Sequence, residues 1–166
     1  WNSRKSAQIA AASIGKLSTH PQIIDLACGG KHNLAVTKEG AVYSWGRGEF
    51  GRLGHGDLQH RIFPTMIHAL EDIPIQAVAG GGYHSMALAV DGTVYAWGSN
   101  ERGRLGLGNT SEFCIKVPKA IPETNRTCKA RIFVSRIHAG AYLSMMFGEP
   151  SEEEAASGMA KWCHTQ

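Results

Sequence analysis

No stretch of the 166 residues approaches the ~20 consecutive apolar positions that a membrane-spanning helix needs. The segment between Lys5 and Leu17 also lacks the long apolar block of a secretory leader. The two glycosylation sequons, at Asn109 and Asn125, are therefore read as chance, and the opening Trp1 as the mark of an excerpted or processed chain. Cysteine is sparse. Cys28, Cys114, Cys128 and Cys163 show no C-x-x-C or Cys/His ligand spacing, so free thiols in a reducing compartment are expected and a zinc site is not. Charge of one sign is lacking too: 17 basic against 14 acidic residues leave +3, too little to imply nucleic-acid binding by itself. No Gly-x-Ser-x-Gly nucleophile elbow occurs, and the Gly-rich blocks precede strand-like runs instead of opening helices as a phosphate loop does. Nothing here argues for catalysis, a cofactor or a metal.

Glycine, by contrast, is abundant: 20 of 166 residues against a typical ~7%. Its placement exposes an internal repeat. Shifted by 52 positions, Ile24–Asp57 lies over Gln76–Asn109 without a gap, and 16 of 34 residues are identical. Each unit holds eight glycines, so they mark recurring turns and close backbone approaches. A period near 50 points to a propeller or solenoid array. Within a unit the pattern is strand-like. Ile23–Ala27 runs into a Gly-Gly turn, Asn33–Thr37 and Ala41–Trp45 follow, and Phe63–His68 reads as an outer strand whose Pro64 suits an edge. Asp91-Gly92 is a two-residue hairpin signal. About four strands per ~52 residues is one propeller blade.

A third copy starts and stops. Ile137–Phe147 fits over Val78–Leu88 at a spacing of 59, with Leu143 where the histidine stood. The expected divisions are an N-terminal extension or end of a preceding blade at 1–22, repeat 1 at 23–74, and repeat 2 with a basic connection at 75–126. A partial repeat 3 follows at 127–148, then an acidic-start tail at 149–166, where Ser151 and Glu154 have capping-box spacing for a short helix.

The blocks Gly81-Gly82-Tyr83-His84-Ser85, Asp91-Gly92, Val94-Tyr95, Trp97-Gly98 and Gly103-Arg104-Leu105-Gly106 carry the resemblance, with their counterparts in the first unit. Together they resemble the regulator of chromosome condensation repeat family. Tyr43–Gly48 is most similar to its plant ultraviolet-B-receptor-like branch. The resemblance implies an all-β propeller, here about three of the usual seven blades. An open arc of that kind leaves edges uncovered, so a portion of a longer propeller, or self-association through blade edges, is expected. In the plant branch a Gly-Trp-Arg-His motif absorbs light. The matching positions are Gly29-Gly30-Lys31-His32, Gly81-Gly82-Tyr83-His84 and Gly140-Ala141-Tyr142-Leu143, all without the tryptophan, so photoreception by that mechanism is disfavoured.

Most recurring residues read as structural: Gly29, His32, Gly40, Trp45, Gly46 and Gly54, then Gly81, His84, Gly92, Trp97, Gly98 and Gly106. Each histidine is expected to bond to backbone, and the tryptophans to pack within blades. His55, Asp57 and His60 lack a defined ligand spacing. Lys31, Tyr83 and Tyr142 occupy equivalent loops and are the candidate binding residues, Tyr being a common interface anchor. Between Ile115 and His138 six basic residues (Lys116, Lys119, Arg126, Lys129, Arg131, Arg136) face one acid, Glu123. A solvated connection explains them as cheaply as contact with chromatin or a nucleic-acid backbone. The expected role is a non-catalytic protein-binding or scaffolding module, cytoplasmic or nuclear, with no membrane contact. The rival, implied by the family, is a guanine-nucleotide exchange factor for a Ran-like small GTPase. That activity uses an inserted wedge, for which only the loop after Gly108 is a candidate.

Overall fold

The computed structural model describes residues 21–108, 111–122 and 132–150. Among the described residues, ten strands form two four-stranded antiparallel sheets and one hairpin. The first sheet is β1 (Ile23–Cys28), β2 (His32–Thr37), β3 (Val42–Gly46) and β4 (Arg61–Met66), in that order. The second repeats it with β5 (Ile75–Gly80), β6 (His84–Ala89), β7 (Val94–Ser99) and β8 (Cys114–Ala120). The hairpin is β9 (Ile132–Ala139) with β10 (Ser144–Pro150). The register repeats with the sequence: His32 faces Gly46 and Asn33 faces Trp45, as His84 faces Gly98 and Ser85 faces Trp97. Each sheet is a propeller blade, and the all-β reading holds.

Composition explains which strands are buried. Strand β6 is wholly buried and β2 nearly so, and both are small or aliphatic after their opening histidine and its neighbour. Strand β5 packs on β1 and β2, and β9 packs on β5 and β6, so each blade presents its first strand to the blade before it. Leu34 and Val36 of one blade and Val78, Met86 and Leu88 of the next meet in one core, together with Trp97, Leu105 and Ile115. Strands β4 and β8 lie at the outer ends of their sheets, where Pro64 and Pro118 sacrifice no ladder bond.

Two local expectations need correction. The outer strand is Arg61–Met66, not Phe63–His68: the chain leaves the sheet at Ile67 and a 3-10 turn begins at His68. The Asp91-Gly92 hairpin has a three-residue loop, not two. Gly92 N–H donates to Ala89 O (3.0 Å) and Ala89 N–H to Thr93 O (2.9 Å), with Gly92 at φ +86°. That is a turn closed by a left-handed bulge position, which glycine occupies without strain. The helix expected at Ser151–Trp162 lies outside the described residues.

One polar clasp joins the first two blades at their inner ends. Asp25 Oδ2 accepts the N–H of Val78 at 2.9 Å, a donor that faces away from its own sheet partner. The equivalent position in the second blade is Ala77, so the clasp is peculiar to this junction. Asp25→Ala should therefore cost about 1–3 kcal/mol, by leaving a blade-interface donor unpaired, whereas Asp25→Asn, which keeps an acceptor oxygen, should cost less than about 1 kcal/mol. Urea-unfolding midpoints of the two variants check this.

Candidate interaction face

The loops β1–β2, β5–β6 and β9–β10 stack on one face because their glycines allow backbones to touch. Gly30 N–H donates to Gly81 O at 3.0 Å. A side chain on Gly30 would lie 2.8 Å from Gly82 O, and one on Gly82 would lie 2.5 Å from Ala141 O. Each stacked loop then turns its next residue outward. Lys31 is exposed, Tyr83 is 39% exposed and Tyr142 is 68% exposed.

Beneath Tyr83 sits Arg52, whose side chain is fully buried. Its Nε donates to Glu49 O (2.8 Å), its Nη2 to Glu49 Oε2 (3.2 Å) and its Nη1 to Gly82 O (3.4 Å). The guanidinium lies 4.9 Å from the centroid of the Tyr83 ring and 5.7 Å from that of Phe50. The two rings meet edge to face at 5.5 Å. Burial lowers the Arg52 pKa from its ordinary value, and Glu49 opposes the shift. Phe50 is one of two non-glycine residues with positive φ (61°) among those described, the other being Arg102 (60°) at the same place in the second blade. Arg104 repeats the buried guanidinium, 5.7 Å from the Tyr142 ring.

The histidines do not bond to backbone as expected; each reaches a serine of the following blade. His32 Nε2 is 2.8 Å from Ser85 Oγ, and His84 Nε2 is 3.0 Å from Ser144 Oγ. Both serine hydroxyls donate to a main-chain oxygen of the earlier blade, Ser85 to Arg52 O (2.7 Å) and Ser144 to Arg104 O (2.8 Å). A hydroxyl has one proton, so each serine must accept from the histidine, which places a proton on Nε2 of both imidazoles. Burial, then Arg52 and His84, pushes the His32 pKa down to about 3. Burial and then Arg104 push that of His84 down to about 4. These Ser–His pairs cannot act as nucleophile and base, because the histidine is the donor and the serine proton is already committed.

Trp97 joins the same junction, its Nε1–H donating to Arg52 O at 2.9 Å, while Trp45 packs with Ala35. Of the other structural glycines, Gly40, Gly46, Gly54, Gly98 and Gly106 have positive φ, as Gly92 does, and Gly29 lies against the His32 ring. His55, Asp57 and His60 do not converge. His55 Nε2 meets Ser44 Oγ (2.9 Å), Asp57 pairs with Arg61 (2.8 Å), and His60 Nδ1 accepts from Gly48 N–H (3.0 Å). Of the basic connection, Arg126, Lys129 and Arg131 lie outside the described residues, while Lys119 pairs with Glu112 at 3.0 Å. Cys28 and Cys114 are free thiols; Cys128 and Cys163 lie outside the described residues, as do Asn109 and Thr110 of the wedge candidate. Among the described residues no helix is long and apolar enough to cross a membrane.

Sequence reasoning passed over Arg52, Arg104, Ser85 and Ser144. The Gly-Arg-Leu-Gly block recurs intact at Gly51–Gly54 and Gly103–Gly106, and that invariant arginine was the available signal.

The family model described as the regulator of chromosome condensation (RCC1) repeat matches residues 39–88 and 91–147, and a second model of the same description matches 23–52 and 75–104. The chain belongs to this repeat family. Among its RCC1-repeat relatives is the ultraviolet-B receptor UVR8 of Arabidopsis thaliana, 39% identical over 61% of this chain and 23% of the receptor. The human E3 ubiquitin-protein ligase HERC2 is 40% identical over 60% of this chain but only 2% of the ligase. Among solved structures, Prp20p of Saccharomyces cerevisiae, described by its binding to Gsp1p and histones, superposes with a TM-score of 0.69 at 27% identity. That match covers 86% of this chain and 34% of Prp20p. Human WBSCR16 gives 0.68 at 27% identity over 77% and 31%. The chain thus spans about a third of these solved RCC1-type structures and less than a quarter of the curated relatives.

Protonation of His32 and His84 is disfavoured in the folded state, whereas unfolded histidine titrates near 6.5. Their contribution is complete above pH ~6.5 and falls as the unfolded chain takes up protons, on the order of 1.4 kcal/mol per pH unit for each histidine, until the folded pKa values of about 4 and about 3 are reached. Melting temperature followed from neutral pH to pH ~4 should show this decline. His32→Gln, which keeps a donor but cannot titrate, should make the decline shallower and leave the share of His84.

Proposed function

We propose that the chain is a non-catalytic protein-binding module whose stacked loops present Lys31, Tyr83 and Tyr142 to a protein partner in the cytoplasm or nucleus. The observation that carries this reading is the setting of Tyr83. Its ring is partly exposed yet held against Arg52 at 4.9 Å and Phe50 at 5.5 Å. An aromatic anchor already held in position loses little side-chain entropy on binding, which favours it as an interface hot spot. The likeness to Prp20p supports a protein partner, since that relative is described by its binding to Gsp1p and histones. The same likeness supports a second reading, nucleotide exchange on a Ran-like GTPase. Ligation is not transferred from HERC2, because the match covers only 2% of that protein.

Purified protein containing this chain, with a Gsp1p-type GTPase and core histones as probes, separates the readings. Tyr83→Ala and Tyr142→Ala should each weaken binding to the engaged probe by about tenfold, equivalent to ~1.4 kcal/mol, without changing the melting temperature appreciably. Release of fluorescent GDP from the GTPase should be unaffected. Acceleration that both alanine variants abolish would install the exchange reading, and unchanged affinity in both would remove the face from either.

A further inference from the structure

The two blade junctions are built alike but satisfied differently. Each folds a buried arginine back onto the glutamate three residues before it, Arg52 on Glu49 and Arg104 on Glu101, with a second arginine near in sequence but at non-equivalent positions, Arg47 at the first and Arg102 at the second. At the first, all three are joined. Arg47 reaches Glu49 Oε1 (3.3 Å), Arg52 reaches Oε2 (3.2 Å), and Arg52 Nη1 finds Gly82 O. At the second, Arg104 Nε and Nη2 are used on Glu101, each at 2.9 Å, while its Nη1 is buried without a hydrogen-bond partner. That side chain is only 2% exposed. The counterpart carbonyl, that of Ala141, lies against Gly82 and takes no bond from Arg104 Nη1. Arg102 stands where Phe50 stands in the first blade, with the same left-handed backbone, and is exposed with no ion pair among the described residues. Tyr142 covers the guanidinium without a hydrogen bond of its own among those residues, and lacks the second ring that steadies Tyr83.

We propose that Arg102, Arg104 Nη1 and Tyr142 form a receptor for one carboxylate from an acidic segment of a protein partner. A buried guanidinium N–H without an acceptor is an unmet demand that an incoming anion satisfies. Arg102 supplies a second, solvent-facing fork, and the Tyr142 ring reaches the open position by turning about χ1 to uncover Nη1. The composition favours a carboxylate on a protein over a nucleic-acid backbone. A phosphate chain needs a track of cations, whereas here two arginines stand with one exposed tyrosine, a combination common at protein interfaces. This inference deepens the protein-binding reading and rests on it.

The test is an NMR titration of the full chain, with labelled arginine side chains, by acetylated hexaglutamate at physiological salt. A saturable shift of the Arg104 Nε signal, with that of Arg52 unmoved, is expected. Arg104→Ala would also release Glu101, so the informative variant is Arg102→Phe, which copies the first junction. It should weaken hexaglutamate binding by about tenfold or more while Arg102→Lys keeps it within about threefold. A shift that survives Arg102→Phe, or none at Arg104, overturns the site. Tighter binding of a single-stranded oligonucleotide at the same signals overturns its protein specificity. If Tyr83→Ala weakens the protein partner but hexaglutamate leaves Arg104 unmoved, this inference fails and the protein-binding reading stands. If hexaglutamate binds yet partner affinity ignores both Tyr83→Ala and Arg102→Phe, both the reading and the proposed occupant fail.

Discussion

Everything on this face depends on a carbonyl. The main-chain oxygen of Arg52 takes the hydroxyl of Ser85 and the indole N–H of Trp97, both from the next blade, while the arginine's own side chain folds back onto Glu49 and under Tyr83. One residue therefore fixes the spacing of two blades through its backbone and the pose of a surface ring through its side chain. His32 completes the arrangement by donating to the same serine. The group is buried, so its hydrogen bonds reinforce one another in a low-dielectric setting, and loss of any member leaves a partner stranded.

The same geometry separates these buried Ser–His pairs from the catalytic pairs that they superficially resemble. A nucleophilic serine needs a base that takes its proton and a path to substrate. Ser85 has neither: its proton is spent on a carbonyl and it is completely buried.

The repeat, the strand order within a blade and the turn glycines were legible because they are local or recur at a fixed offset. Pro64 was legible as an edge residue for the same reason: a missing N–H is a property of one position. The Asp91-Gly92 loop was misjudged by one residue, since a dipeptide does not reveal that Gly92 is a bulge whose neighbour Thr93 re-enters the ladder. The histidine partners were not legible from one unit at all. His32 bonds 53 residues away, in a blade whose placement only the assembled stack determines. Arg52 lay between these cases. Its recurrence was visible, but a charged residue in a Gly-rich loop ordinarily points to water, and nothing local announces that Tyr83 will roof it.

The offset between histidine and serine also carries a consequence for synthesis. A chain leaving the ribosome exposes His32 long before Ser85, and at ~5–20 residues per second the 53-residue delay lasts roughly 3–10 s. Once Met66 has emerged the first sheet has its own ladder, but until Ser85 follows 19 residues later its junction is open, with Leu34 and the Arg52 carbonyl facing solvent or a chaperone. Each blade is thus finished by its successor, one step behind translation, and a pause in elongation would prolong the half-closed state of the blade just made.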